Sequence, residues 1–332
     1  MGFLKDLPEL FPVAVIVHDA WHTPAHYSHL IDSLSALGYP VACPQLLTAH
    51  TESNCTASFH DDCSLIYQLA FDLCSDGNDV IIFGHGYGAF IATEALGELD
   101  KRERQLQGRA GGVIGLIALA GLLPDKGESL KDVFAGHVGG EWPEYIRPQV
   151  PQPTSPFFFT KRTITQGFQE VELTKPVLKN SSLVLLQPST FLYNDLGPMS
   201  REHWASHLIR FTAKPSDIVC TSTPAWKNIP TTYVLCEDDM FLPESLQRGI
   251  AKKAGAQVAE IEDVGHDAFI GKCDELVEII GNIVAQLYLL GADEKRDAGD
   301  KHDGDASSAK SVPVDEQEDP MQKPLRRTTT AP

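Results

Sequence analysis

The chain has 332 residues, 42% of them hydrophobic, with a formal net charge of −18 and a pI near 5.0. That acidic balance excludes nucleic acid and anionic membrane surfaces as natural partners. The length suits one large α/β core carrying an insertion. Residues 1–10 contain Lys5, Asp6 and Glu9 and no apolar run, so no secretory signal is expected. No stretch of 18 apolar residues suggests a membrane span. The seven cysteines include no Cys-x-x-Cys pair, which fits reduced thiols in a cytoplasmic setting.

In chain order, a strand is expected over 11–17, a helix over 27–37, a short strand over 39–42 and a helix over 58–73. A buried strand over 80–83, a helix over 89–98 and an apolar strand over 113–120 follow. Strands alternating with helices at this spacing predict a mostly parallel central sheet with helices on both faces. From Pro124 to Trp226 the rhythm breaks at Pro143, Pro148, Pro151, Pro153 and Pro156, followed by Phe157-Phe158-Phe159. Helices are expected within it over 182–191 and 201–211. An insertion of this length between two halves of a sheet reads as a lid over the carboxyl ends of the strands. After Pro230 the alternation resumes, with strands over 231–236 and 257–261 and helices over 243–254 and 276–290. The expected organisation is therefore a first half-core at 1–123, a lid at 124–226, a second half-core at 227–291 and a disordered polar tail at 292–332.

The chemistry concentrates at Gly84-His85-Gly86-Tyr87-Gly88, between the strand ending at Phe83 and the helix beginning near Ala89. Small residues here let a strand fold sharply into a helix, as in the G-x-S-x-G nucleophile elbow. The central position holds Gly86, so no hydroxyl is presented. Downstream, Asp238 and Asp239 follow one strand and His266 follows another, in the order nucleophile, acid, histidine.

Together with Val13-Ala14-Val15-Ile16-Val17-His18-Asp19-Ala20-Trp21-His22-Thr23-Pro24, 225–239 and Val264-Gly265-His266-Asp267-Ala268-Phe269, these segments resemble the α/β-hydrolase fold, close to fungal secondary-metabolism members. The resemblance covers about 10 to 290. It implies His266 as the catalytic imidazole, Asp239 as its acid (or Asp238, one residue away) and Gly86 at the vacant nucleophile position. It also implies an oxyanion hole from the Tyr87 and Ala20 amides, although Asp19 stands where a glycine is usual. Ester hydrolysis gained on installing serine at Gly86 would show that this hole and His266 are assembled. Trp21, His22, Phe157 and Trp204 are candidates for the substrate pocket. His85 is expected to pack or hydrogen-bond behind the sheet. His22, His26 and His29 read as a loop entering a helix with one exposed face, so no metal site is expected. No G-x-G-x-x-G fingerprint occurs and no cofactor is expected.

Without its hydroxyl, this scaffold keeps proton transfer and oxyanion stabilisation but loses the covalent step. The expectation is an enzyme carrying out cofactor-free, non-hydrolytic acid/base chemistry (condensation, lyase, isomerase or cyclisation) on an apolar, polyketide-like carbonyl compound. The alternatives are a hydrolase using a water activated by His266 on an ester or lactone, and an inactive protein binding a small ligand. The partner is a small molecule in each case, and the oligomeric state is left open.

Overall fold

The computed structural model describes residues 11–51, 56–136, 139–148 and 183–303, with side-chain surroundings as far as residue 289. Six strands form the central sheet: β1 (Val13–Val17), β2 (Val41–Ala42), β4 (Asp79–His85), β5 (Gly112–Leu119), β9 (Thr231–Cys236) and β10 (Gln257–Ile261). Their order is β10-β9-β5-β4-β1-β2 and every neighbouring pair is parallel. This is the mostly parallel sheet the sequence implies.

Side-chain alternation along the central strands feeds two cores, because successive residues point to opposite faces. Val13, Val15, Val17, Val80, Ile82, Val113, Leu116, Tyr233 and Leu235 enter one core. That core packs against α2 (Phe59–Ser75), α3 (Tyr87–Ala95) and α8 (Glu244–Ala254). Ala14, Ile16, Ile81, Phe83, Ile117, Leu119, Val234 and Cys236 enter the other, against α1 (Ser28–Ala36) and the first turns of α10 (Cys273–Asp303). A strand covered on both faces must be apolar at nearly every position, which is why these runs were legible.

The 124–226 region departs from expectation. The segment expected as a helix over 182–191 is strand β7 (Leu183–Leu185) followed by short α6 (Pro188–Phe191). Strand β7 pairs antiparallel with β6 (Ile146–Pro148), Ile146 opposite Leu185. The helix expected over 201–211 is α7 (Pro198–His207), and its last residues become strand β8 (Arg210–Phe211), paired antiparallel with β3 (Ala49–His50). Short apolar runs carry no period of their own, and partners distant in sequence settle their state.

Contacts divide the chain into one unit of residues 1–288 and a second of 289–332. Within the second, residues 289–303 are helical, so the expected tail without structure does not begin at 292. Ala292, Glu294, Lys295 and Arg296 are good helix formers, and extending an existing helix avoids the cost of nucleation. No helix among the described residues is long and apolar enough to cross a membrane.

The corner between β4 and α3 is the tightest point of the sheet. Gly86 takes φ 50° and ψ −115°, a conformation that a side chain disfavours. A Cβ at Gly88 would lie 2.0 Å from the Val17 carbonyl oxygen, so α3 reaches β1 only because residue 88 has no side chain. Gly88→Ala is expected to cost about 3 kcal/mol, at the upper end of overpacking penalties. Urea unfolding measures this, and a loss under about 1 kcal/mol would mean that the corner is looser than described.

Candidate active site

The loops leaving β1, β4, β9 and β10 converge at the carboxyl ends of the parallel strands, the usual ligand end of such sheets. Asp239, after β9, is fixed by the Phe241 and Leu242 amides, which donate to its Oδ1 at 2.7 and 2.8 Å. Its Oδ2 accepts from His266 Nδ1 at 2.7 Å. Asp238 is exposed, and its carbonyl accepts from the Asn194 side chain at 2.7 Å. Of the two acids, Asp239 is therefore the one facing His266.

On its other side, His266 Nε2 lies 3.4 Å from Asp19 Oδ2. Asp19 Oδ1 in turn accepts from the Tyr87 amide at 2.5 Å. This corrects two expectations. The Tyr87 N–H is not a free oxyanion donor, because a carboxylate already occupies it. The space beside Gly86 is not open either, since a Cβ there would meet Asp19 Oδ1 at 2.3 Å and Cγ at 2.4 Å. Serine at residue 86 would therefore require the Asp19 carboxylate to leave its present position. The Ala20 carbonyl accepts from His22 Nδ1 at 2.8 Å.

Charge follows from these contacts. Burial alone would push the His266 imidazole down, but Asp239 and Asp19 outweigh it and hold His266 well above its ordinary 6.5. Burial would likewise raise Asp19, but the His266 hydrogen bond and the neighbouring imidazoles bring it below the ordinary carboxylate range. The resting arrangement is therefore carboxylate, imidazolium, carboxylate.

A second buried row lies behind the first. His22 Nε2 is 3.2 Å from both Asp267 Oδ2 and the Tyr193 hydroxyl, and His85 Nε2 is 3.6 Å from Asp267 Oδ1. The Tyr27 hydroxyl accepts from the Asp19 amide at 3.0 Å and donates to His85 Nδ1 at 2.7 Å. His85 Nε2 donates to the His266 carbonyl at 3.2 Å. The expected exposed histidine face is therefore wrong for His22 and His26, which are buried, and right only for His29. Asp19, His85 and His266 each bring one polar atom within 4.8 Å of the others, a spacing that a metal ion could span and that the sequence had not suggested.

Of the pocket candidates, Trp21 adopts φ 64° and donates its indole N–H to the Leu183 carbonyl at 3.1 Å. It meets Phe241 at 6.2 Å between ring centroids, and Phe241 in turn meets His266 at 4.7 Å. Trp204 contacts His26 at 5.7 Å, away from His266. Phe157 lies outside the described residues. A groove of about 780 Å³ lined by His60, Tyr67, Glu94 and Asn228 shares no residue with this site. Cys236 is fully buried and its thiol is pushed well up by burial, with Asp239 adding to it, which suits packing better than attack. Sequence reading missed Asp19 and Asp267. The signal for Asp19 was its departure from glycine in a loop that faces a second departure, at Gly86.

A twisted parallel sheet with an acid and a histidine converging on a strand–turn–helix corner defines the α/β-hydrolase class. The chain belongs to the alpha/beta hydrolase family, whose model matches residues 14–279. It is 27% identical over 285 residues to alpha/beta hydrolase nvfD of Aspergillus novofumigatus, covering 83% of this chain and 98% of that one. Among solved structures it resembles methylesterase protein MES16 from Arabidopsis, with a TM-score of 0.59, 19% identity and coverage of 83% and 99%. It also resembles a variant of tomato methylketone synthase I in complex with β-ketoheptanoate, with a TM-score of 0.61, 16% identity and coverage of 85% and 100%.

Buried neutral histidines give the protein an acid limit. Desolvation lowers His18 from the usual 6.5 to about 4, and His26 and His85 to about 3. Each binds a proton more readily when unfolded, so the stability it supplies is present above pH 6.5 and lost as pH falls toward its folded value. His22 and His266, raised above 6.5, oppose this loss near the top of the window, and Asp62, raised by burial to about 6, opposes it below pH 6. Below about pH 6 three such groups less the one opposing carboxylate remove about 3 kcal/mol per pH unit, against a typical total of about 5–15 kcal/mol. Acid unfolding followed by circular dichroism is expected between about pH 6 and 4, and a fold intact at pH 3.5 would contradict it.

Proposed function

We propose that this protein is an enzyme of fungal-type secondary metabolism that moves protons on an apolar carbonyl compound without a covalent intermediate. Its reaction would be a condensation, cleavage, isomerisation or cyclisation, with no cofactor required. One observation carries this reading. The corner where a hydroxyl nucleophile would stand holds Gly86, and the adjacent space is filled by the Asp19 carboxylate, 3.4 Å from the His266 imidazole. His266, oriented by Asp239, is then a proton-transfer group facing a position that holds a carboxylate in place of a hydroxyl nucleophile.

The aromatic surround of Trp21, Phe241 and Phe211 favours an apolar substrate. Methylketone synthase I, a structural neighbour, has been solved with 2-tridecanone and with β-ketoheptanoate, both alkyl-chain carbonyl compounds, which supports the same substrate class. Hydrolysis through an activated water ranks second, because an oxyanion from an ester would compete for the Tyr87 amide with a carboxylate already there.

The test is exchange of α-protons for deuterium in a medium-chain methyl ketone such as 2-heptanone, followed by NMR. Wild-type protein is expected to accelerate exchange, and His266→Ala to lose about 10²–10⁴ of that rate. Unchanged exchange in His266→Ala would sink the proton-transfer role. Hydrolysis of p-nitrophenyl esters without ketone exchange would favour the second reading.

A further inference from the structure

We propose that Asp19 is the catalytic base of this site, its carboxylate standing in the space of the absent serine side chain and taking the proton that His266 does not. This rests on the proton-transfer reading above and assigns the two halves of that transfer to two residues.

Three placements converge on Asp19. One oxygen is anchored on the Tyr87 amide at 2.5 Å, which fixes the carboxylate in the angle between β4 and α3. The other oxygen faces His266 Nε2 at 3.4 Å, near the long limit of a hydrogen bond. The Nδ1–H of the same ring is held by Asp239 at 2.7 Å. His266 is thus tethered firmly on one side and loosely on the other, so its Nε2 proton is the one free to leave. The Asp19 backbone is fixed as well, its N–H donating to Tyr27, and its side chain is 2% exposed. The His266 hydrogen bond and its charge keep the carboxylate ionised until a substrate arrives.

The step balances without a further reactant. A C–H bond beside the substrate carbonyl breaks and its proton passes to Asp19 Oδ2. The electron pair forms the carbon–carbon double bond, and the carbonyl oxygen takes the Nε2 proton of His266. The product is a neutral enol between a neutral acid and a neutral imidazole. Protonation at carbon, or bond formation there, then resets the pair. Because the enol oxygen receives a proton, the site needs no free oxyanion hole, which accounts for an anion being tolerated against the Tyr87 amide.

The experiment uses the full chain in four further forms: Asp19→Asn, His266→Ala, Gly86→Ser and the double variant Asp19→Gly with Gly86→Ser. Asparagine keeps the size and the acceptor for Tyr87 but removes the base, so exchange into 2-heptanone is expected to fall at least about 100-fold. Exchange retained in Asp19→Asn but lost in His266→Ala would overturn the Asp19 assignment while leaving the wider reading intact. Exchange absent from the wild type would overturn both. A second arm decides the placement if Asp19→Asn does not fold. Gly86→Ser alone is expected to stay without p-nitrophenyl acetate hydrolysis, and the double variant to exceed it at least about tenfold. Equal activity of the single and double variants would show that Asp19 does not occupy that space and would overturn the proposal.

Discussion

Asp239, His266 and Asp19 set three charges in line where water does not reach, with exposures of 5%, 0% and 2%. Two carboxylates in so small a volume would repel, and each alone would carry a heavy desolvation penalty. The imidazolium between them makes both tolerable. At about 4 Å and an effective dielectric near 20, each attraction is worth about 4 kcal/mol, so loss of the central charge would turn two attractions into one repulsion. The backbone completes the arrangement, with two amides on Asp239 and one on Asp19. The row still carries a net negative charge, which is a poor environment for a developing oxyanion and a good one for a group that must accept or relay a proton.

The fold holds this row through its second core. Tyr27 is fully buried and stacks on Phe269 at 4.1 Å between centroids. Its hydroxyl sits between the Asp19 amide and His85, and His85 reaches the carbonyl of His266. Packing on one face of the sheet therefore fixes the backbone of both residues that meet over Gly86. Asp267 and His22 form a compensated pair beside them: burial favours neutral forms, but their mutual attraction raises the imidazole and lowers the carboxylate. Neutral His85 next to this pair supplies directed hydrogen bonds rather than charge.

Much of this was legible in the chain itself. Strand 231–236 falls where its apolar run places it, because a strand buried on both faces leaves a signal within its own length, whereas 257–261, a mostly exposed edge strand, is marked by the turn residues around it. Asp239 and His266 were legible because both follow strands in a recognisable order. What was not legible depends on distant partners. Leu183-Val184-Leu185 is a strand only through Ile146–Pro148, and Arg210-Phe211 only through Ala49-His50. His22 was misjudged for the same reason: period alone leaves it on an exposed loop, whereas its partner Asp267 lies 245 positions away. Asp19 was noticed only as an irregularity, since its contact with Tyr87 spans 68 positions.

The two irregular residues are a single feature. Taken separately, Gly86 is a corner residue without a hydroxyl and Asp19 an acid in the neighbouring loop. In space, the carboxylate at 19 occupies the volume that any side chain at 86 would need, with overlap down to 2.3 Å. A glycine at 86 facing a glycine at 19 would leave a gap of about one water, roughly 30 Å³, beside a buried imidazole, which a polar corner can tolerate. An aspartate at 19 facing any Cβ at 86 would instead have to move its carboxylate off the Tyr87 amide. The same geometry explains why residue 19 carries an acid rather than an apolar filler: the space is bounded by an amide donor on one side and an imidazole on the other, and a carboxylate satisfies both.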